Sequence, residues 1–229
     1  MKLISYLQWR FDMIRYWSSI SRELPIGGAM LEVGTWKGAS AARWLKRLPR
    51  NMVVIDPYTR KQDNSWEGRK TQEELEEIAK KTNAYLVQQT RKNGNITHLE
   101  NLRLTSLAGN ALVKSGSLNV VYIDGDHSYA ACLEDLTIWW PKLKPGGSLV
   151  VDDHQTGRWW GTDVIEAAKT FHPKDEEKRF SLGRWLIIQK TATPRNQAVC
   201  NCDVAADPNM EPVHWPGCDA VARVAKDGA

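Results

Sequence analysis

Five short apolar runs recur along this chain, each closing on a glycine, a hydroxyl or an acid, and the stretches between them carry helical patterning. The runs are AMLEVG (29–34), MVVID (52–56), LRLTS (102–106), NVVYID (119–124) and SLVVDD (148–153). Unbroken apolar runs of this length suit strands covered on both faces, and regular alternation with helices implies right-handed crossovers between parallel strands. The expected fold is therefore α/β: a Rossmann-like, doubly wound, mainly parallel sheet with helices on both faces and an antiparallel last strand. That last strand comes from FSLGRWLIIQK (180–190), which reads as one or two strands, the second pairing as a hairpin that pivots at Gly183.

Helices are expected over 39–48, 70–92, 128–141 and 161–172, with Lys144-Pro145-Gly146-Gly147 as a turn before the fifth strand. Ile4, Leu7, Phe11 and Ile14 recur at helical spacing, so residues 2–22 read as an amphipathic helix or helix pair that must bury one face. The 229 residues thus divide into a helical segment (1–24), one catalytic-size domain (25–190) and an irregular tail (191–229) whose Pro, Asn, Asp, Ala and Cys show no periodicity.

Lys and Arg number 31 against 27 Asp and Glu, and the excess of +4 is scattered rather than gathered into a stripe, so no nucleic-acid footprint is evident. Gln8 and Arg10 interrupt the apolar LISYL before a secretory core forms, and no run is long enough to span a bilayer. A soluble cytoplasmic protein is the expectation. Four cysteines are too few for a disulfide framework. Cys200, Cys202, His214 and Cys218 either supply zinc donors or belong to a solvated tail, and their spacing matches no common finger. Trp139-Trp140 reads as core or subunit contact, while Trp159-Trp160 follows an acidic cluster and is a candidate pocket wall.

Ligands of such sheets bind beyond the carboxyl ends of the strands, which puts Gly34, Asp56, Ser106, Asp124 and Asp152 on one rim. Asp124 and Asp126 follow the fourth strand, and Asp152 and Asp153 the fifth. Unpaired carboxylates are costly to bury, so their convergence suggests a shared divalent cation such as Mg²⁺. The plainer alternative is that Asp126 or Asp153 caps the following helix.

Glu32-Val33-Gly34-Thr35-Trp36-Lys37-Gly38 runs strand, turn, helix, and Asp56 ends the next strand, where an acid accepts two hydrogen bonds from vicinal ribose hydroxyls. Trp36 stands where a dinucleotide fingerprint would want its second glycine, so a cofactor without phosphates fits better than a nicotinamide dinucleotide. ExGxxxG followed by an acid resembles the S-adenosylmethionine site of class I methyltransferases. That resemblance implies that Gly34, Thr35 and Gly38 make room for the cofactor's amino-acid portion and that Glu32 organises the loop or meets its amine. It also implies that Asp56 holds the ribose, that Asp124 lies beside the cofactor, and that Ser106 and Asn110 lie near the adenine.

IDGDHSY, a helix, LKPGG, a strand and then DDH resembles, more narrowly, the metal-dependent O-methyltransferases of antibiotic and sugar tailoring, over about residues 28–190. The resemblance implies Asp124, Asp152 and Asp153 as Mg²⁺ ligands. For the general base it leaves two residues, Asp126 and His127, with Asp126 preferred and His154 a more distant contact. The polar segment 59–69 with Trp66 is a candidate lid. The implied activity is Mg²⁺-assisted O-methylation of a small-molecule hydroxyl of sugar or natural-product type, by a homo-oligomer that engages neither nucleic acid nor membrane. Two alternatives stand beside it: a metal-independent small-molecule methyltransferase, and a non-catalytic binding or assembly protein on the same fold.

Overall fold

The structure is a computed structural model that describes residues 22, 24, 27–46, 51–59, 69–94, 96, 98–156 and 161–192. The expectations for the N-terminal helix, Trp66, the Trp159-Trp160 pair and the cysteine-containing tail lie outside the described residues. In chain order the elements are β1 (Ala29–Val33), α1 (Ala39–Leu45), β2 (Asn51–Ile55), α2 (Gln72–Asn93), β3 (His98–Leu102), α3 (Ser106–Leu112), β4 (Leu118–Ile123), α4 (Tyr129–Trp139), β5 (Leu143–Val151), α5 (Asp163–Thr170), β6 (Glu176–Leu182) and β7 (Trp185–Lys190).

They build one sheet in the order β3-β2-β1-β4-β5-β7-β6. The first five strands pair in parallel, and β7 runs antiparallel to both β5 and β6. This is the doubly wound α/β fold that the alternating runs imply. The chain steps outward from β1 to β3 in one direction and from β4 to β5 in the other. The switch point is therefore the β1/β4 boundary, where such folds open a crevice.

Period-two alternation splits each central strand between two cores. Leu31, Val33, Val53, Ile55, Val121, Ile123, Leu149 and Val151 pack with Leu136 and Trp139 of α4 and with Val164 and Ala167 of α5. On the opposite face Met30, Met52, Val54, Val120, Tyr122, Val150 and Trp185 pack with Ala41 and Trp44 of α1 and Leu86 of α2. The long helix α2 opens on a capping box between Thr71 and Glu74, worth about 1 kcal/mol. Among the described residues no helix is long and apolar enough to cross a membrane.

Two local expectations are corrected. The third strand is His98–Leu102, upstream of the expected 102–106, because its register against β2 pairs His98 with Asn51 and Leu102 with Ile55. Thr105 then starts α3, its side chain accepting from the amide of Ala108. LKPGG is not a turn but the bulged start of β5: the β4–β5 register jumps between Leu118 and Val120, and Gly146 sits at φ +75°. At the far edge, Gly183 at φ +61° and Arg184 form the two-residue turn of the β6–β7 hairpin.

Candidate functional site

The sheet ladder runs one residue past the ends of the strands. The amide of Gly34 donates to Ile55 O (2.9 Å), Asp56 to Leu102 O (3.1 Å), Asp124 to Val33 O (2.9 Å) and Asp152 to Ile123 O (2.9 Å). Gly34, Asp56, Asp124 and Asp152 are thereby fixed in one row along the rim, as their spacing implies. Gly34, at φ +85°, is required by the fold itself: a Cβ there would collide with the carbonyl of Asp124 and stand 2.7 Å from the Cα of Gly125. The first loop and the β4–α4 loop therefore touch through backbone, closing the floor of the crevice.

On the β1–β2 side, Asp56 organises the loop. Its Oδ2 accepts from the amide of Trp36 (2.7 Å) and its Oδ1 from the amide of Tyr58 (2.9 Å). Tyr58 and Thr82 in turn donate to Trp36 O, at 2.7 and 2.9 Å. Trp36 is held at φ +48°, an uncommon conformation for a bulky residue, and this set of bonds over-determines it. Each carboxylate oxygen has acceptor capacity beyond one bond.

Beneath the loop lies Glu32, 0% exposed, with Oε1 accepting from Ser40 (2.6 Å). Its Oε2 and the hydroxyl of the buried Thr35 have no hydrogen-bond partner among the described residues. Burial, with the neighbouring charges of Asp152 and Asp56, pushes the Glu32 carboxyl up to about 8. Orphaned polar atoms at the base of a strand–turn–helix loop suit an amino acid-like ligand, and Gly38, at φ +74°, leads into α1 beside them. The residues present fit the cofactor that the resemblance implies.

The shift at Glu32 has a signed consequence. A carboxyl whose folded value lies above its unfolded one binds more protons in the folded state, so stability falls as pH rises from about 4.5 towards 8. The slope approaches about 1.4 kcal/mol per pH unit for the one group. Glu32→Gln is expected to lose less stability than the wild type between about pH 6 and pH 8.5 in urea unfolding of the ligand-free protein. Parallel pH profiles would contradict this assignment.

On the β4–β5 side the acids do not face one another around an empty centre. Both oxygens of Asp152 are engaged: Oδ2 accepts from the Tyr122 hydroxyl (2.6 Å), and Oδ1 accepts from the amide of Asp153 (2.7 Å) and from Arg184 Nε (2.7 Å). Asp153 lies with Oδ1 in ion-pair contact with a terminal nitrogen of the same guanidinium and with Oδ2 3.2 Å from His127 Nε2, but neither Asp153 Oδ1 nor His127 Nε2 has a hydrogen-bond partner among the described residues. His127 Nε2 also lies 3.8 Å from Asp124 Oδ1. Burial, then the charges of Asp152 and Glu32, push the Asp124 carboxyl well above the usual range. Burial works against the charge on Arg184, but Asp152 and Asp153 outweigh it and raise its affinity for its proton.

Among the described residues, no group of three or more His, Cys, Asp or Glu side chains is arranged to hold a metal ion. The three-carboxylate Mg²⁺ set expected of Asp124, Asp152 and Asp153 does not fit, because Arg184 and Tyr122 satisfy Asp152 and a cation already bridges it to Asp153. Arg184 is the residue the sequence reading missed. It lies in a hairpin turn 31 residues beyond Asp153, and only the antiparallel return of β7 along β5 brings it back.

The two base candidates have different surroundings. Asp126 is exposed, with Oδ1 accepting from the amide of Ser128 (2.9 Å), the residue that opens α4. This is an Asx turn leading into the helix and not a helix cap, since the N-cap position belongs to Ser128, which has no side-chain cap bond. His127 instead points inward, its side chain 12% exposed, between Asp124 and Asp153. Asp153 itself adopts φ +52°, a strained conformation that aims it at both His127 and Arg184. His154 ties this segment to the hairpin through its amide, which donates to Arg184 O (2.8 Å).

The two residues expected near an adenine both bond to α4. The Ser106 hydroxyl donates to Asp135 and accepts from Trp139 Nε1 (2.8 Å), and Asn110 donates to Ile138 O (2.7 Å). Both therefore pin α3 to α4. Burial lifts Asp135 to about 6, against the pull of its bond to Ser106.

Residues 31–154 match a family described as a methyltransferase domain. An uncharacterized protein of Acanthamoeba polyphaga mimivirus is 22% identical over 183 residues, covering 79% of this chain and 76% of that one. Among solved structures, a Clostridium thermocellum protein assigned as an rRNA methylase is similar with a TM-score of 0.54 at 12% identity, covering 78% of this chain and 97% of its own. A Streptococcus mutans protein assigned as a methyltransferase, solved in complex with SAH, has a TM-score of 0.53 at 12% identity with the same coverage. The O-methyltransferase TomG of Streptomyces achromogenes, solved with SAM, has a TM-score of 0.50 at 14% identity, covering 77% of this chain and 78% of that one. At these identities the structural likenesses establish the shared fold.

Proposed function

The chain belongs to the methyltransferase-domain family that its residues 31–154 match, and from that premise we propose that it is an S-adenosylmethionine-dependent O-methyltransferase acting on a small-molecule hydroxyl of sugar or natural-product type. The observation that carries this reading is the inward-facing His127, with Nε2 3.2 Å from Asp153 Oδ2, on the same rim as the Asp56-organised loop.

Asp56 would hold the ribose, Glu32 and Thr35 the amino-acid portion, and Gly34 and Gly38 would give the backbone room, with Asp124 beside them. The cofactor, when bound, supplies a methyl group on a sulfonium. His127 would take the proton of the acceptor hydroxyl, leaving its oxygen free to accept that methyl group. Asp153 stabilises the imidazolium that results, as a carboxylate behind a catalytic histidine does. Alignment of the two reactants on one rigid rim contributes by removing orientational entropy from the step.

The Arg184-bridged acids support the metal-independent form of this chemistry over the Mg²⁺-assisted form. The scattered charge supports a small acceptor rather than a nucleic acid, and the aromatic N-terminal segment supports a homo-oligomer; a cytoplasmic location is proposed with them. The test is transfer of labelled methyl from S-adenosylmethionine to a panel of hydroxylated small molecules, with the product bond assigned by mass spectrometry and NMR. A methyl ether is the expected product. Transfer to nitrogen or carbon alone would overturn the O-methyl assignment.

A further inference from the structure

Arg184 holds a position that neither its sequence surroundings nor the family match assigns. Its backbone is fixed twice, by the β6–β7 turn and by the bond from the His154 amide to Arg184 O (2.8 Å). Its guanidinium then forks across two adjacent strand-end acids, Nε to Asp152 Oδ1 at 2.7 Å and a terminal nitrogen to Asp153 Oδ1. Reaching two carboxylates at once from one planar group is something the guanidinium's several fixed donors allow and a lysine's point charge does not. Of the other oxygens of the same acids, Asp152 Oδ2 accepts from the Tyr122 hydroxyl and Asp153 Oδ2 lies 3.2 Å from His127 Nε2.

We propose that Arg184 is a positioning residue that takes the place of a metal ion at this centre: its fixed positive charge locks Asp152 and Asp153, so that Asp153 serves His127 instead of a divalent cation. Mg²⁺ demands near-octahedral oxygen ligands and gives up water reluctantly. To enter here it would have to break the hydrogen bond from Arg184 to Asp152 and the ion pair from Arg184 to Asp153, and then sit beside a guanidinium that repels it. The electrostatic work of a dication, neutralising the acids and fixing their direction, is already supplied by a group that cannot be chelated away.

The catalytic side of this proposal rests on the methyltransferase reading, but its ion-binding side does not, and the two fail separately. The experiment is titration of Mn²⁺ into the full chain, following free aqueous Mn²⁺ by electron paramagnetic resonance, for wild type, Arg184→Met and Arg184→Lys, each with S-adenosylhomocysteine binding measured in parallel. The expected result is no stoichiometric uptake by wild type, a single new Mn²⁺ site in Arg184→Met, and none in Arg184→Lys, whose charge still repels the ion. Adding Asp153→Asn to Arg184→Met is expected to abolish the new site. Arg184→Gln runs beside Arg184→Met, so that a folding defect in one leaves the other to decide.

Stoichiometric uptake by wild type that disappears in Asp124→Asn would overturn the proposal. So would a folded Arg184→Met or Arg184→Gln that gains no site. Failure of S-adenosylhomocysteine to bind folded wild type would count against the methyltransferase reading alone.

Discussion

His127→Ala is expected to lower kcat for methyl transfer by about 10²–10⁴-fold, the usual worth of a positioned general base, while leaving S-adenosylhomocysteine affinity within a few-fold of wild type. His127 is almost enclosed, its Nε2 faces Asp153 at 3.2 Å, and Asp153 is itself held at an uncommon φ of +52° by the surrounding bonds. A histidine needed only for packing would not require a carboxylate aimed at its ring nitrogen from a strained backbone. Asp126→Asn provides the contrast. The Asp126 carboxylate accepts the Ser128 amide on the exposed side of the loop, so its replacement should cost about 1 kcal/mol of stability or less and little turnover. Steady-state kinetics on the two variants decide the matter. A large kcat loss in Asp126→Asn with a small one in His127→Ala would exchange their roles.

The second large effect is expected at Asp56. Asp56→Ala removes the acceptor proposed for the ribose hydroxyls and also leaves the amides of Trp36 and Tyr58, now bonded at 2.7 and 2.9 Å, without their carboxylate. Hydrogen bonds to a charged acceptor are worth about 1.5–3 kcal/mol each, so losing the ribose contact should weaken cofactor binding by about 10–100-fold or more. The orphaned amides add about 1–3 kcal/mol of destabilisation, visible as a lower Tm. Asp56→Asn keeps one acceptor oxygen and should fall between wild type and alanine in both affinity and Tm. An Asp56→Ala variant with a lowered Tm and undiminished affinity would make Asp56 a scaffold residue alone.

The central sheet was legible because its strands are covered on both faces and so carry unbroken apolar runs. Where a strand lies at the edge, that signal thins. HLENL keeps only partly buried positions and tolerates Glu100 and Asn101, whereas LRLTS looks more strand-like yet contains the cap of α3. The bulge at Gly146 imitates a turn because both need positive φ, and a linear reading cannot tell them apart.

At the site, the row of Gly34, Asp56, Asp124 and Asp152 followed directly from the strand ends. What counting acids could not supply was their counter-charge. The DDH motif announces two adjacent carboxylates, but their cation arrives from a turn 31 residues later, through an antiparallel pairing that no local pattern encodes. Ser106 and Asn110 illustrate the converse. Their position after the third strand was right for a ligand, while their bonds to Asp135 and Ile138 O serve helix packing.

The account turns on whether the crevice at the β1/β4 switch point holds S-adenosylmethionine, and the most direct measurement is calorimetric titration of S-adenosylhomocysteine into the wild-type protein and Asp56→Ala. The account predicts saturable binding near one equivalent per chain that weakens in the variant. An absence of binding to well-folded wild type would contradict it.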